Sequence, residues 1–325
     1  MARIDGFHHL TISVDGAQED FDFYTKTLGL HSVKKTVLFD GETPVYHLYY
    51  GGRNGEASTI ITTFPFKKPG IYGRRGTNQS RCIQVAVPEG SLDYWEDRLG
   101  GRGIETRRHD RFGIERLHLA HPCGIEHELV AAPDDDRPTI AEGGGVAKEH
   151  GIKGIYGIRV ACFSAAPMAE FLSDGLGMEK VADTEDGMSF RAPSTGPIGG
   201  VEIEVDRESD QGTWTLAGGT IHHFAMNTGD EENQLALKAH LEGMGYTDVS
   251  DQKDRNYFKS CYVRSPGGAL VELAWTVPEG WAKDEPHDRI GQSLVFPPWF
   301  EDRKQEMIDG LEAFDWGGVE QPGQP

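Results

Sequence analysis

Two pairs of adjacent histidines and one isolated carboxylate are the residues of this sequence best suited to hold a metal ion. His8-His9 and His222-His223 each open an apolar, strand-like run, and Glu272 lies inside the apolar segment 267–275. Successive side chains of a strand point to opposite faces, so we expect only one histidine of each pair to face a common cavity. Two imidazoles and one carboxylate form a ligand set that leaves positions open on a non-haem Fe(II), where O2 and a substrate oxygen can both bind.

Burial of the Glu272 carboxylate inside an apolar strand is costly unless a partner neutralises it, and a metal ion would do so. A rival metal site is the segment 121–128, His-Pro-Cys-Gly-Ile-Glu-His-Glu, which offers histidine and glutamate at strand spacing. The strands expected beside that segment contain no histidine, so it is the weaker hypothesis. The Glu202-Ile203-Glu204 run alternates as a half-exposed strand would.

A pattern of one short apolar strand, one helix and a glycine stop recurs four times along the chain. The helices are indicated by apolar residues spaced for one helical face, such as Phe21, Tyr24 and Leu28. The strands open near residues 9, 82, 155 and 222, and the helices stop at Gly29, Gly100, Gly177 and Gly245. Each unit has roughly the size of a βαβββ module, so the sequence predicts an α+β fold of four such modules.

An acidic stretch rich in proline and glycine separates the second unit from the third, and we interpret residues 133–152 as a linker. The predicted domains are therefore 1–132 and 153–276, each with two modules. Residues 277–325 form a C-terminal tail in which a helix is expected at about 302–311 and whose apolar residues should pack on the body of the protein.

The charge balance disfavours nucleic acids and anionic membranes as partners, because 32 Lys and Arg residues face 52 Asp and Glu residues, giving a net charge of -20. The four cysteines have no Cys-x-x-Cys spacing. The N-terminus has no apolar signal core, and no stretch reaches the roughly 18 apolar residues of a membrane span. We therefore expect a cytoplasmic protein without a membrane partner. Assembly into a homo-oligomer is compatible with the sequence.

The unit pattern and its strand-borne histidines and glutamate resemble the vicinal oxygen chelate superfamily, which includes glyoxalase I, bleomycin-resistance proteins and extradiol dioxygenases. Several segments narrow the resemblance to the hydroquinone and chlorohydroquinone 1,2-dioxygenases. These segments are His8-His9-Leu10-Thr11-Ile12, Tyr46-His47-Leu48-Tyr49-Tyr50, Thr62-Thr63-Phe64-Pro65, Gly212-Thr213-Trp214-Thr215, Ile221-His222-His223 and Tyr262-Val263-Arg264-Ser265-Pro266-Gly267-Gly268. The likeness covers nearly the whole chain.

The resemblance implies two domains of curved mixed β-sheet and an Fe(II) enzyme, with Mn(II) as the alternative ion. It implies His9, His223 and Glu272 as metal ligands. The residues that it implies around the substrate and oxygen are His8, Thr11, His222, Arg255 and Tyr262. The expected partners are O2 and a small aromatic substrate of the hydroquinone type, with or without chlorine, whose ring is cleaved.

The distribution of histidine also predicts how the modules pair. The second and third modules have no imidazole where the first has His9, so the first and last modules should share one metal cavity. In the last module, the turn 265–268 should bring Tyr262 next to Glu272.

Three alternative functions remain: an extradiol catechol dioxygenase, a metal-free binding protein of the bleomycin-resistance kind, and a glyoxalase-like isomerase. The isomerase would need a fourth ligand, for which 51–65 offers only Glu56.

Overall fold

The computed structural model describes residues 3–39, 44–66, 72–140, 143–196 and 198–317. Four consecutive modules, each a strand, a helix and three further strands, make up most of this part of the chain. The predicted α+β fold of four βαβββ modules is therefore confirmed.

The first two modules have the following elements. The first contains β1 (Phe7–Val14), α1 (Ala17–Asp22), β2 (His31–Val37), β3 (Tyr46–Gly51) and β4 (Ile60–Pro65), and a π-helical turn (Phe23–Thr27) extends α1. The second contains β5 (Gln79–Val87), α2 (Leu92–Gly100), β6 (Arg107–Arg111), β7 (Ile114–Ala120) and β8 (Glu126–Ala131).

The last two modules repeat the plan. The third contains β9 (Gly154–Cys162), α3 (Ala165–Glu170) with a π-helical turn (Phe171–Gly175), β10 (Glu179–Thr184), β11 (Gly187–Arg191) and β12 (Gly200–Val205). The fourth contains β13 (Thr220–Asn227), α4 (Glu231–Gly243), β14 (Lys253–Asp254), β15 (Phe258–Arg264) and β16 (Leu270–Thr276). The predicted tail helix is α5 (Lys304–Gly310). None of the helices described is long and apolar enough to cross a membrane.

The modules pair first with last and second with third. One eight-stranded sheet has the order β14-β15-β16-β13-β1-β4-β3-β2, and the other has the order β10-β11-β12-β9-β5-β8-β7-β6. The antiparallel contacts of β1 with β13 and of β5 with β9 join the modules. The predicted pairing of the first module with the last is confirmed. Each sheet thus takes one module from either side of 133–152, and the division of the chain at that linker stays a prediction.

Helix packing follows the apolar spacing in the sequence. Leu92, Trp95 and Leu99 of α2 are all buried in the main core, as their shared face predicts. The tail packs on the body as expected, because Phe300 and Met307 are buried in a cluster with Val37 of β2.

The sheet of the second and third modules holds a buried ion cluster. Arg116 of β7 lies 2.9 Å from Glu128 of β8 (Nη1 to Oε2) and 2.8 Å from Glu202 of β12 (Nη2 to Oε1). Gln84 of β5 donates to both carboxylates, at 3.1 and 2.8 Å. The expectation of a half-exposed strand at 202–204 is wrong for Glu202, which is fully buried. Its charge is matched by arginines that lie far from it in the sequence.

Candidate metal centre

Two β-bulges shape the strands that bring the histidine pairs together. Across β1 and β13, Phe7 pairs with Met226 but His9 pairs with Ala225, so His8 is an extra residue without a strand partner. The pairing shifts again where Thr11 faces His223 and Ile12 faces Ile221, which makes His222 the extra residue on β13. A bulge locally breaks the strict alternation of side chains.

The bulges change what strand alternation predicts. His222 and His223 both line one cavity, so the expectation that one histidine of each pair faces the cavity is wrong for this pair. His8, in contrast, does not line the cavity, whereas His9 does. No simple sequence signal marks a bulge here, and its position appears only once the two strands are paired.

Three buried side chains direct one ligand atom each to a common point. His223 Nε2 lies 2.8 Å and His9 Nε2 lies 3.4 Å from Oε2 of Glu272. The two Nε2 atoms are 3.1 Å apart. Among the residues described, this is the only group of three or more histidines, cysteines and acids whose ligand atoms converge closely enough to hold a metal ion. No such group forms at 121–128, the rival site. The donor set of two imidazoles and a carboxylate fits a divalent transition metal with open positions.

In each pair, the first histidine (His8 or His222) contacts the ring of the second (His9 or His223), whose Nε2 faces the centre. His8 Nδ1 lies 2.8 Å from His9 Nδ1, and His222 Nδ1 lies 2.7 Å from His223 Nδ1. If His9 presents its Nε2 lone pair to a metal, its Nδ1–H donates to His8, whose own Nε2–H can donate to Thr276 Oγ1 at 2.8 Å. Such a chain fixes the tautomer and the plane of the ligand ring.

The electrostatics of the cluster match these roles. Burial, together with the neighbouring histidine of each pair, lowers the pKa of both His8 and His222 to about 3, which keeps them neutral. Burial also lowers the pKa of His223. Burial alone would raise the pKa of Glu272, but His9 and His223 outweigh it and hold that pKa well below its ordinary value. The centre therefore has an ionised carboxylate at Glu272, and the neighbouring His8 and His222 are neutral.

Strand β15 supports Glu272 from the side. Tyr262 is the direct cross-strand partner of Glu272, as the 265–268 turn predicts. Ser260, two residues earlier on the same strand, donates a hydrogen bond from Oγ to Oε1 of Glu272. This bond leaves Oε2 as the atom that faces the histidines. Ser260 was not predicted, because a buried serine in an apolar strand has no distinctive sequence signal.

The centre lies at one wall of a cavity of about 340 Å³. Most of the remaining wall is apolar, and its large side chains are Leu38, Phe39, Phe64, Leu216, Phe258 and Leu270. Trp299 of the tail packs edge-on against Phe39, with ring centroids 5.8 Å apart. A larger cavity of about 630 Å³ lies between β2 and residues 287–293, but none of the three converging residues lines it. The smaller cavity is therefore the candidate site.

Arg255 and Tyr262 belong to the polar part of the cavity wall, together with His47, His222, Ser250 and Lys253. Nε of Arg255 lies 3.2 Å from the Tyr262 hydroxyl, and its guanidinium lies over the Tyr262 ring. Burial and the charge of Glu272 raise the pKa of Tyr262, so it remains a phenol. The predicted residues Arg255, Tyr262 and His222 thus line the same cavity as the three converging residues.

Thr11 lies outside the cavity, in a hydrogen-bonded chain beside it. Its hydroxyl is 2.8 Å from that of Thr62, which is 3.0 Å from Nε2 of His47. His47 lines the cavity, and its Nδ1 lies 2.8 Å from the Tyr49 hydroxyl. His47 was part of the motif 46–50 but was not predicted as a site residue. A histidine in an aromatic strand gives no indication by itself of which cavity it faces.

Comparison with known proteins finds ring-cleaving dioxygenases among the relatives of this chain. The chain is 34% identical over 308 residues to the chlorohydroquinone/hydroquinone 1,2-dioxygenase of Sphingobium indicum, covering 94% of this chain and 95% of that protein. It is also 34% identical over 312 residues to a Bacillus subtilis protein named as a candidate ring-cleaving dioxygenase, MhqO, covering 95% and 96% of the two chains. No protein-family model matches the chain.

Solved structures give the same fold. The crystal structure of a candidate dioxygenase from Bacillus subtilis superposes with a TM-score of 0.89 at 30% identity, covering 98% of this chain and all of that one. Glyoxalase I from Zea mays superposes with a TM-score of 0.61 at 14% identity, covering 83% of this chain and 92% of that one. The second likeness concerns the fold alone.

Proposed function

Since this chain belongs to the family of ring-cleaving dioxygenases that contains the chlorohydroquinone/hydroquinone 1,2-dioxygenase of Sphingobium indicum, we propose that it is an Fe(II) enzyme for hydroquinone-type aromatics. It cleaves the ring between a hydroxyl-bearing carbon and its neighbour and inserts both atoms of O2. The observation that carries the proposal is the convergence of His9, His223 and Glu272 at the wall of an apolar cavity.

The three residues would hold the metal through His9 Nε2, His223 Nε2 and Glu272 Oε2. Fe(II) held by two neutral imidazoles and one carboxylate keeps one net positive charge, and it supplies the redox chemistry by which an electron-rich phenolate ring reacts with O2. Mn(II) fits the same donor types and is the alternative ion.

The apolar walls would bind the aromatic ring. A single hydroquinone ring is far smaller than the cavity of about 340 Å³, so chlorine or alkyl substituents can be accommodated beside it. The aromatic residues Phe39, Phe64 and Phe258 exclude water from the ring and strengthen the electrostatic interactions of the polar groups.

The polar wall would act on the oxygen atoms of the reaction. Tyr262 lies opposite Glu272 on the hairpin, so its hydroxyl would donate a hydrogen bond to a reacting oxygen atom that is held beside the Glu272 carboxylate. The Arg255 guanidinium, within 3.2 Å of that phenol, stabilises negative charge that develops on the same oxygen. His222 lines the cavity and is the imidazole placed to move a proton, whereas His8 acts through His9 as a positioning residue.

Fe(II)-loaded protein offered hydroquinone and catechol separately tests this proposal, with oxygen uptake and 18O incorporation as readouts. The proposal predicts uptake with hydroquinone and a ring-opened product that contains both atoms of 18O2. Uptake with catechol alone would move the protein to the extradiol class. No uptake with either substrate by a fully iron-loaded protein would contradict the proposal.

A further inference from the structure

The segment 121–125, which connects β7 to β8, forms a cluster of its own with helix α1. His121 Nδ1 lies 2.9 Å from the Sγ atom of Cys123, and His121 Nε2 lies 3.2 Å from Oδ1 of Asp20. The amide nitrogen of Cys123 is 3.1 Å from the same Nδ1, so the turn holds ring and thiol at a fixed separation. A thiol, an imidazole and a carboxylate thus stand in line.

The Asp20 carboxylate, the last of these three groups, is held in place by two other hydrogen bonds. It is fully buried, and its Oδ2 accepts hydrogen bonds from the hydroxyls of Tyr50 at 2.7 Å and Thr63 at 2.6 Å. Those two bonds leave Oδ1 for His121. Oδ1 lies at ion-pair distance from His121 Nε2, 3.2 Å away, and so favours an imidazole that carries hydrogen on that nitrogen.

The other nitrogen of His121, Nδ1, lies within reach of both the Cys123 amide hydrogen and the thiol, so the thiol proton can reside on the ring. Phe23 and Tyr24 pack against the imidazole, with ring centroids 4.7 and 5.7 Å away, and restrict its orientation. Burial by itself lowers the pKa of His121, but Asp20 and Cys123 outweigh that effect and raise the pKa to about 9. The imidazolium that forms on proton transfer is stabilised where it stands.

The position of Cys123 beside His121 favours reaction at its sulfur. A cysteine beside a protonated histidine is more nucleophilic at neutral pH than an ordinary thiol. Cys123 is also partly exposed, so a small reagent can reach it.

We propose that Cys123, activated by His121 and Asp20, is a covalent modification site for soft electrophiles of the quinone class. Quinones are the two-electron oxidised form of hydroquinones, so the reagent class follows from the proposed substrate. The choice of reagent thus rests on the proposed function, whereas the reaction itself uses none of the residues of the metal centre.

The covalent step balances without a further oxidant. Sγ gives its proton to His121 Nδ1 and attacks a ring carbon of 1,4-benzoquinone, forming a C–S bond. The electron pair of the attacked C=C bond moves through the ring to a carbonyl oxygen, which takes a proton from His121 or solvent. The ring proton at the attacked carbon then passes through solvent to the second carbonyl oxygen, which restores aromaticity and gives a hydroquinone thioether. The quinone is thereby reduced, and the sulfur is arylated.

The other three cysteines provide an internal control. Cys82, Cys162 and Cys261 are all buried. Burial raises the pKa of Cys82 well above its ordinary value, that of Cys162 to about 12 and that of Cys261 to about 11. Buried thiols of this kind are inert. Modification of the folded chain should therefore stop at one adduct.

The test treats the full-length protein, without added metal or hydroquinone, with 1,4-benzoquinone at pH 7 and follows the intact mass and the labelled peptide. One adduct per chain on Cys123 is expected. His121→Gln should slow the adduct at least about 10-fold at pH 7 and shift the pH profile of the rate to that of a free thiol, near 8.5. Cys123→Ser should remove the adduct.

Equal rates in wild type and a folded His121→Gln variant would overturn the proposal, as would first labelling of a buried cysteine in the wild type. The second outcome needs no variant, so a misfolded substitution does not leave the proposal without a test. Circular dichroism of each variant separates loss of activation from unfolding. Because no turnover is measured, failure here leaves the proposed dioxygenase function untouched, and the reverse also holds.

Discussion

Thr62 occupies in the first module the position that Glu272 occupies in the fourth. His9 pairs with Ile60 on the parallel neighbour β4, and His223 pairs with Leu270 on the parallel neighbour β16. Thr62 and Glu272 each lie two residues further along. The two halves of the sheet are thus alike in their histidines and differ at the position where a second carboxylate would complete a four-ligand set.

This difference predicts that Thr62→Glu converts a three-ligand centre into a four-ligand one. We expect tighter metal retention during chelator dialysis and a loss of oxygen uptake of at least about 100-fold, because the added carboxylate fills a position that a reactant needs. Metal analysis after dialysis and an oxygen electrode measure the two effects.

Thr62→Val is the matched control, since it removes the hydroxyl without adding a ligand. It should keep the metal content of the wild type, with a smaller loss of rate from the broken hydrogen bonds to Thr11 and His47. A Thr62→Glu variant that keeps full activity with bound metal would contradict the three-ligand interpretation.

Ser260 is predicted to tune metal affinity through Glu272. Ser260→Ala removes the hydrogen bond to Oε1 and lets the carboxylate rotate, so metal affinity should fall by about 10- to 100-fold with the fold intact. Competition with a fluorescent chelator measures the change. Ser13, a buried serine of β1 that does not line the cavity, gives a matched Ser→Ala control, which should have wild-type affinity.

The four modules and the pairing of the first with the last could be predicted from the sequence. Apolar spacing and glycine stops located the four helices, and the absence of imidazoles from the second and third modules paired the first with the last. The bulges at His8 and His222 were not predictable, because they depend on the register between strands more than 200 residues apart. Ser260 and His47 were missed because their roles depend on which neighbour they face across the sheet.

Tyr262 is predicted to affect turnover more than metal binding. Tyr262→Phe retains the ring over which Arg255 lies and removes only the hydroxyl, so kcat should fall by about 10- to 100-fold while iron content stays near that of the wild type. Steady-state oxygen uptake and iron analysis on the same sample test this. Loss of the metal together with the rate would instead make Tyr262 a ligand or a support of the centre.

The buried ion cluster of Arg116, Glu128 and Glu202 should contribute to the free energy of unfolding at neutral pH. Arg116→Met leaves Glu128 and Glu202 without their central cation, so the free energy of unfolding should fall by about 3–5 kcal/mol at pH 7. Urea unfolding of both proteins across pH measures it. An unchanged free energy of unfolding at pH 7 would show that Arg111 and Arg159 suffice.

The pH dependence of that loss has a definite sign. Burial raises the pKa of Glu202, but Arg116 and its neighbours outweigh it and lower the pKa below the ordinary 4.5. The stabilisation from this carboxylate is therefore complete above about pH 4.5 and is lost as the pH falls toward the folded-state pKa. The difference between wild type and Arg116→Met should shrink over that range, and a difference that grows in acid would contradict the assignment.

The central claim is that His9, His223 and Glu272 together hold the metal that the activity needs. Its most direct test is anaerobic Fe(II) reconstitution of wild type and Glu272→Gln, followed by iron analysis and oxygen uptake with hydroquinone, with Glu56→Gln as the exposed-carboxylate control. We predict one iron per chain and full uptake for wild type and control, and little iron and no uptake for a folded Glu272→Gln variant. Full iron and full rate in that variant would contradict the account.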